Sequence, residues 1–505
     1  MYKRLKWIRV LLSLIFFLLI TLNFIYFAYS KTNISPVLHL QFVPALLGLF
    51  TGTAVFFALI LILTVLFGRV YCSSLCPIGT YQDIVSRFAD IFKSKKQKRE
   101  KYRKPNNILR YSFAFLAFAP LAAGVTLPLA LLDPYSNWGR VSNEILSRGE
   151  NLIHNLLSSI FPDAIFYRGY ASLVIPVLLF SAFILLLVTI MSALRRRLFC
   201  NTICPVGTVL GAISRYSAFR PVMGSDCNHC GICATVCKSN CIDQKKREID
   251  HTRCVACFNC MTTCKRGSVT YQFAWNKSTS KSEKSFSGER RQALLTMGLA
   301  GTALVSRAAE IRPFRSEKSG KEAIAPPGAL SIQHLKDNCT ACHACVAACP
   351  NGIIIPSTVE YGIDGLFLPV LNYNDHFCGY DCNACTTVCP NHALVPMTLE
   401  DKKLCQIGKA KFSLRSCIVY TDKTDCGACD EHCPTKAITM IPYNGTNLYI
   451  PKLDRDICIG CGACEYICPA VPVKAMIVQS NPVHLKAREP LVEEQEKIEV
   501  QDFGF

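Results

Sequence analysis

Twenty-four cysteines fall into six short runs, and their spacing constrains the chain more than any other feature. Four runs read C-x2-C-x2-C-x3-C. They are Cys227, Cys230, Cys233 and Cys237; Cys254, Cys257, Cys260 and Cys264; Cys339, Cys342, Cys345 and Cys349; and Cys458, Cys461, Cys464 and Cys468. Two runs change only the leading gap: Cys378, Cys382, Cys385 and Cys389, and Cys417, Cys426, Cys429 and Cys433. Thiolates this close on one tight loop can wrap three irons of a cube. The proline after the last cysteine, at Pro350, Pro390, Pro434 and Pro469, turns the chain away from the loop.

When such runs come in pairs, the fourth cysteine of each serves the other cluster. The six runs therefore predict six [4Fe–4S] clusters in three paired folds of bacterial ferredoxin type, with the 24 cysteines as metal ligands. Three other chemistries fit less well. Zinc sites show separated C-x2-C pairs, not a triple with a trailing C-P. The CTACH of residues 339–343 matches a c-type haem attachment pattern, but haem would strand Cys345 and Cys349. Disulfides belong to small secreted domains with irregular spacings, whereas these spacings repeat.

Half of the 505 residues are hydrophobic, and four apolar runs are long enough to span a bilayer: residues 8–29, 42–67, 108–132 and 171–194. Basic residues flank them unevenly. The chain starts MYKRLKWIR, KSKKQKREKYRK follows the second run, and RRR at 195–197 follows the fourth. This places the N-terminus in the cytoplasm, with the loops near 30–41 and 133–170 outside. Two related phrases then fall on the cytoplasmic side, CSSLCPIGT at 72–80 and CNTICPVGT at 200–208. Ser86-Arg87-Phe88 and Ser214-Arg215-Tyr216 extend the likeness at equal offset. A tandem repeat of two spans and one C-x3-C-P loop would bring Cys72, Cys76, Cys200 and Cys204 together. Three readings stand for these four: a seventh iron–sulfur centre, a redox-active dithiol pair, or structural thiols. Cys241 reads as a packed thiol, and Cys405 as a poorer leading ligand than Cys417.

The expected organisation is a transmembrane domain over 1–225, a two-cluster ferredoxin domain over 226–271, a linker over 272–325, a four-cluster ferredoxin domain over 326–479 and an acidic tail over 480–505. The fold class is thus a membrane protein: a four-helix transmembrane domain plus α+β ferredoxin domains. The linker contains Arg290-Arg291 before a 13-residue apolar run, the pattern of a twin-arginine export signal, or else of a basic-flanked interfacial helix. His39, Asp133 and Arg140 fall in the outer loops, where quinol protons could leave, although solvated surface groups are the plainer reading. The net charge of +19 does not point to nucleic acid, because base-reading motifs are missing and six clusters at about −2 each would cancel much of it.

With the spans, the C-x3-C-P loops and two cluster motifs, residues 1–271 resemble NapH, the membrane quinol-dehydrogenase component of periplasmic nitrate reductase systems. Residues 288–479 resemble NapG, its four-cluster ferredoxin partner, through Arg290-Arg291, the PPGAL of 326–330 and four cluster motifs. The resemblance implies electrons taken from the membrane quinol pool and passed through [4Fe–4S] clusters to a periplasmic reductase or cytochrome. It implies an inner-membrane, multi-pass protein with its C-terminal ferredoxin domain in the periplasm. Two departures stand out: the modules are fused, and Cys237 and Cys264 are followed by lysine. A maturation protein for a respiratory metalloenzyme and a cytoplasm-facing polyferredoxin are the alternatives.

Overall fold

The N-terminal apolar run folds as one helix, α1 (Tyr2–Tyr26). Its Leu11, Ile15, Leu18 and Leu22 recur every three or four residues and form an exposed apolar stripe. The fourth run gives α7 (Ile175–Arg195), with the same kind of stripe at Leu179, Phe183, Leu186 and Ile190. Among the described residues these two helices are long and apolar enough to cross a membrane.

The second and third runs differ from the expected single spans. Residues 42–67 split into Phe42–Leu47, a 3-10 turn at Gly48–Phe50, and α2 (Ala54–Phe67). Residues 108–132 split into α5 (Asn107–Ala122) and a short helix Leu127–Leu132. Pro120 inside α5 and Gly124 at φ +81° account for the second break. The 14 residues of α2 rise about 21 Å, short of a hydrocarbon core of about 30 Å. A hydropathy window adds across such breaks and cannot see them.

The computed structural model describes residues 2–27, 35–50, 53–94, 102–163, 166–169, 172–275, 323–443 and 445–489. The twin-arginine segment, most of the basic stretch at 93–104, and the tail beyond 489 lie outside them. The chain forms two compact units, Met1–Val370 with Ala384–Pro396, and Leu371–Asn383 with Met397–Phe505.

In the first unit the tandem repeat is visible in backbone detail. α2 leads to α3 (Val70–Ser74) and α4 (Pro77–Phe92), while α7 leads to α8 (Leu198–Thr202) and α9 (Pro205–Ser214). Each long helix ends on a residue with positive φ, Gly68 at 79° and Arg196 at 50°. Cys76 and Cys204 are the extended N-caps, and Pro77 and Pro205 take the first helical position, where their missing N–H costs nothing. The α6 helix (Pro134–Val141) is wholly buried. The 226–271 stretch follows, with β1 (Phe219–Met223) antiparallel to β4 (Val269–Phe273) and a small hairpin of β2 (Ile242–Asp243) and β3 (Glu248–Ile249). A later helix of this unit is α10 (Ala344–Ala348).

The second unit pairs β5 (Cys405–Phe412) with β8 (Met476–Lys486), and β6 (Ile438–Pro442) with β7 (Tyr449–Leu453). Strand β8 runs seven residues into the stretch expected as tail, because Leu485 and Lys486 resume pairing with Gln406 and Cys405 after a bulge.

Candidate metal centres

The four C-x3-C-P cysteines come together and are buried. Burial, then the negative charge of the other thiols, pushes Cys76 and Cys204 well above the ordinary thiol range. Cys200 is also raised, chiefly by burial, against the pull of Arg197 and Arg69. Those two arginines occupy matching positions three residues before Cys72 and Cys200, and both are fully buried. They cross over: Arg69 Nη2 donates to Cys200 O at 3.2 Å, and Arg197 Nη1 donates to Cys72 O. Arg69 Nη2 also lies 3.7 Å from Cys72 Sγ, and Gln82 Nε2 donates to Cys200 Sγ at 3.0 Å.

Arg197 has a carboxylate partner in Asp83, at 2.7 Å, but among the described residues Arg69 has none. Burial opposes its charge, while Cys72, Cys200 and Cys204 hold its pKa above the ordinary value. A buried, unpaired guanidinium is costly. Among the described residues the thiols of Cys72, Cys200 and Cys204 are the counter-charge it meets, so the donor set fits an anionic four-thiolate group. The arginine positions were missed in the sequence, although R-x-[Y/F]-C extends both phrases upstream. Gly79 and Gly207 complete the frame, because a Cβ on either would collide with the Cys72 or Cys200 carbonyl oxygen of its own loop. Gly207→Ala is expected to destabilise by about 1–3 kcal/mol through overpacking, read as a lower denaturation midpoint.

In the pairs at 227–264 and 417–468, the fourth cysteine of each run stands with the thiols of the other run. Cys233 is pushed to about 11 by burial and then by Cys227, Cys230 and Cys264. Cys260 is raised by burial and then by Cys257, Cys254 and Cys237. A mainly apolar cavity of about 370 Å³ is lined by Cys237, Cys241, Cys254, Cys257 and Cys260. Cys241 is packed in the core, and its Sγ lies 3.5 Å from Cys237 Sγ, a contact that holds Cys237 below its ordinary pKa.

In the second unit, Cys417, Cys426, Cys429 and Cys468 line a cavity of about 360 Å³. Cys433, Cys458, Cys461 and Cys464 line another of about 320 Å³. Cys405 lines neither and faces His484 at 3.9 Å. In the first unit, Cys339 is raised by burial and then by Cys389 and Cys342, and Cys345 by burial and then by Cys339, Cys342, Cys389 and Cys385. Cys349 is half-buried there, while Cys378 and Cys382 belong to the second unit. Among the described residues no group of three or more His, Cys, Asp or Glu side chains is gathered around a single-ion position.

The residues expected in outer, solvated loops are not solvated. Arg140 and Asp133 are buried, and His39 is half-buried with Nδ1 2.8 Å from Pro390 O. Arg140 donates to Ala341 O at 3.0 Å, inside the third cysteine run, and its guanidinium lies 5.4 Å from the Phe180 ring. Burial raises Asp133 to about 6 against hydrogen bonds from Ser136. The reason is tertiary: residues 323–370 cover these loops. The lysine after Cys237 also finds a role. Lys238 Nζ lies 2.5 Å from Asp83 Oδ2, tying the cysteine-rich stretch to α4. Lys265, its counterpart after Cys264, is exposed.

Three family matches cover these regions. A 4Fe-4S binding domain matches residues 49–99 and 175–222, taking in both C-x3-C-P loops. Two 4Fe-4S dicluster domains match residues 338–394 and 424–471. The ferredoxin-type protein NapF of Escherichia coli (strain K12) is 30% identical over 164 residues, 32% of this chain and 91% of NapF. The methylamine utilization ferredoxin-type protein MauM of Methylorubrum extorquens is 31% identical over 187 residues, 35% of this chain and 84% of MauM. The ferredoxin-type protein NapG of Escherichia coli (strain K12) is 29% identical over 208 residues, 38% of this chain and 88% of NapG. No solved structure matches the chain.

Proposed function

Since the chain belongs to the family of ferredoxin-type [4Fe–4S] electron-transfer proteins, we propose that it is the membrane-bound member of an electron-transfer chain, oxidising quinol and delivering electrons to a reductase or cytochrome outside the cytoplasm. When bound, [4Fe–4S] clusters take up and release single electrons. Six sit on the 24 cysteines of the six runs, and a seventh centre on Cys72, Cys76, Cys200 and Cys204.

The observation that carries this reading is the buried arginine pair around four converging thiols. It supports an anionic centre inside a helical domain, not solvent-exposed thiols. Arg69 and Arg197 neutralise charge there, Gln82 donates to sulfur, and the packed helices exclude water. Hydrogen bonds to sulfur and burial are the levers by which a protein sets such a centre's potential. The exposed apolar stripes on α1 and α7 support membrane embedding, since soluble proteins rarely expose apolar patches of this extent.

Membrane vesicles test the function. Adding a quinol analogue should bleach the cluster absorption near the visible region, and a quinone-site inhibitor should block the bleaching. Clusters that dithionite reduces but no quinol analogue does would overturn the quinol reading. A topology reporter fused after residue 489 is expected to report a non-cytoplasmic position, and a cytoplasmic signal would sink the export reading.

A further inference from the structure

The first unit holds two thiol groups at different levels of α1. Near its start, Arg9 Nη1 donates to Ser73 O at 3.1 Å, inside the first C-x3-C-P loop. Near its end, the Phe24 ring packs 6.0 Å from Tyr135, and a Cβ on the adjoining Gly139 would collide with Cys342 O of the third run. Arg9 and Phe24 are about 22 Å apart along the helix axis. One continuous buried cluster spans this distance and contains Cys72, Cys76, Cys204, Trp138, Tyr135 and Cys342.

Aromatic rings fill the middle. Tyr81, five residues after Cys76 on α4, stands 5.1 Å from Trp138 between ring centroids, and Phe17 stands 5.0 Å from Trp138. Tyr135 and Trp138 lie one turn apart on α6. Both central rings are clamped by a threonine whose own hydroxyl hydrogen is committed to its helix. Thr189 Oγ1 donates to Leu185 O and so accepts from Tyr81 OH at 2.7 Å. Thr21 Oγ1 donates to Phe17 O and accepts from Trp138 Nε1 at 3.0 Å. Tyr135 OH is different: buried, without a well-formed hydrogen bond, and beside Cys342.

We propose that Tyr81, Trp138 and Tyr135 form a rigid, water-free bridge that carries electrons between the C-x3-C-P thiol site and the Cys339–Cys342–Cys345–Cys389 site. The bridge would join the two ends of α1, and it rests on the reading that both sites hold an iron–sulfur centre. Each transfer moves one electron: the donor site is oxidised by one unit and the receiving site reduced by one. No atom or proton is exchanged at the bridge, because the clamped hydroxyl and indole hydrogens stay on their threonine partners. The electrons come from quinol, which gives up two electrons and two protons, and leave to a one-electron acceptor. The Tyr135 ring, buried in the same cluster as Cys342, makes the last step of the bridge to the receiving end.

The test uses the full-length, cluster-loaded protein in liposomes, with a membrane-impermeant viologen as reductant on the side bearing residues 226–271. Freeze-quench EPR follows reduction of the Cys339-side centre. Trp138→Leu is expected to lose the fast phase of that reduction, while the EPR line shapes and iron content of both centres stay unchanged. Trp138→Phe is expected to restore the fast phase, a rescue that a purely structural role would not produce. If Trp138→Leu does not fold, Tyr81→Leu carries the same two outcomes. An unchanged fast phase in the leucine variant, with both centres loaded, overturns the bridge alone. Iron content and electron arrival both unchanged in Cys72→Ser/Cys200→Ser overturn the bridge together with the seventh centre.

Discussion

Changing Cys72 and Cys200 to serine is expected to remove about four irons per chain while the remaining clusters stay bound. The expectation follows from four buried thiols held between Arg69 and Arg197, in a region matched by a 4Fe-4S binding domain. Iron and acid-labile sulfide should fall together, since both belong to one cube. An EPR signal present in the parent protein should vanish with them. A redox dithiol predicts something else: unchanged iron, and two thiols whose reactivity toward alkylating reagents depends on reduction. Unchanged iron would therefore return the four cysteines to thiol chemistry. Arg69→Met offers a second view, because it removes the cation without a carboxylate being left behind. It should lower the centre's potential, since an anionic reduced state loses its nearest positive charge.

Asp83→Asn is expected to cost about 3–5 kcal/mol, the range seen when one partner of a buried ion pair is removed. Asp83 sits among Arg197 at 2.7 Å, Lys238 at 2.5 Å and Arg9 at 3.7 Å. Burial alone would raise its pKa, yet Arg197 and Lys238 hold it well below the ordinary carboxylate range. Lys238 moves the opposite way from a paired lysine, to about 8, because its own burial outweighs the attraction of Asp83. The depressed pKa of Asp83 fixes the sign of the pH dependence. The contribution is complete above about pH 4, where the unfolded carboxylate is ionised, and fades only as pH falls further toward the folded value. Chemical denaturation of the loaded protein in detergent should show this as a lowered midpoint for Asp83→Asn. A loss smaller than about 1 kcal/mol would mean that the network behaves like a surface salt bridge.

Much of the site chemistry was legible because it is local. C-x2-C-x2-C-x3-C brings three thiols onto one loop regardless of the rest of the fold, and the choice of Cys417 over Cys405 followed from spacing alone. The duplication at Cys72 and Cys200 was legible too, since both copies keep the same Cys-Pro helix start. What escaped was tertiary. Asp133 and Arg140 read as surface loop residues, but a segment some 200 positions later covers them. Lys238 read as a departure from proline, but its partner Asp83 is distant in sequence. The breaks in the second and third apolar runs were hidden for another reason. Proline, glycine and helix are nearly indistinguishable to a summed hydropathy, whereas the backbone responds to each residue singly.

The exchanged fourth cysteines set an order for biogenesis. Cys264 stands with Cys227, Cys230 and Cys233, and Cys237 with Cys254, Cys257 and Cys260. A nascent chain that has emerged only through residue 250 therefore offers three thiols of one group, one thiol of the other and no finished cage. Cluster loading of this pair would then have to wait until both loops have closed over each other. A chain halted between them would present one three-thiol site and, at Cys237, one lone thiol of the other. The same crossing would make the assembly of this pair all-or-none.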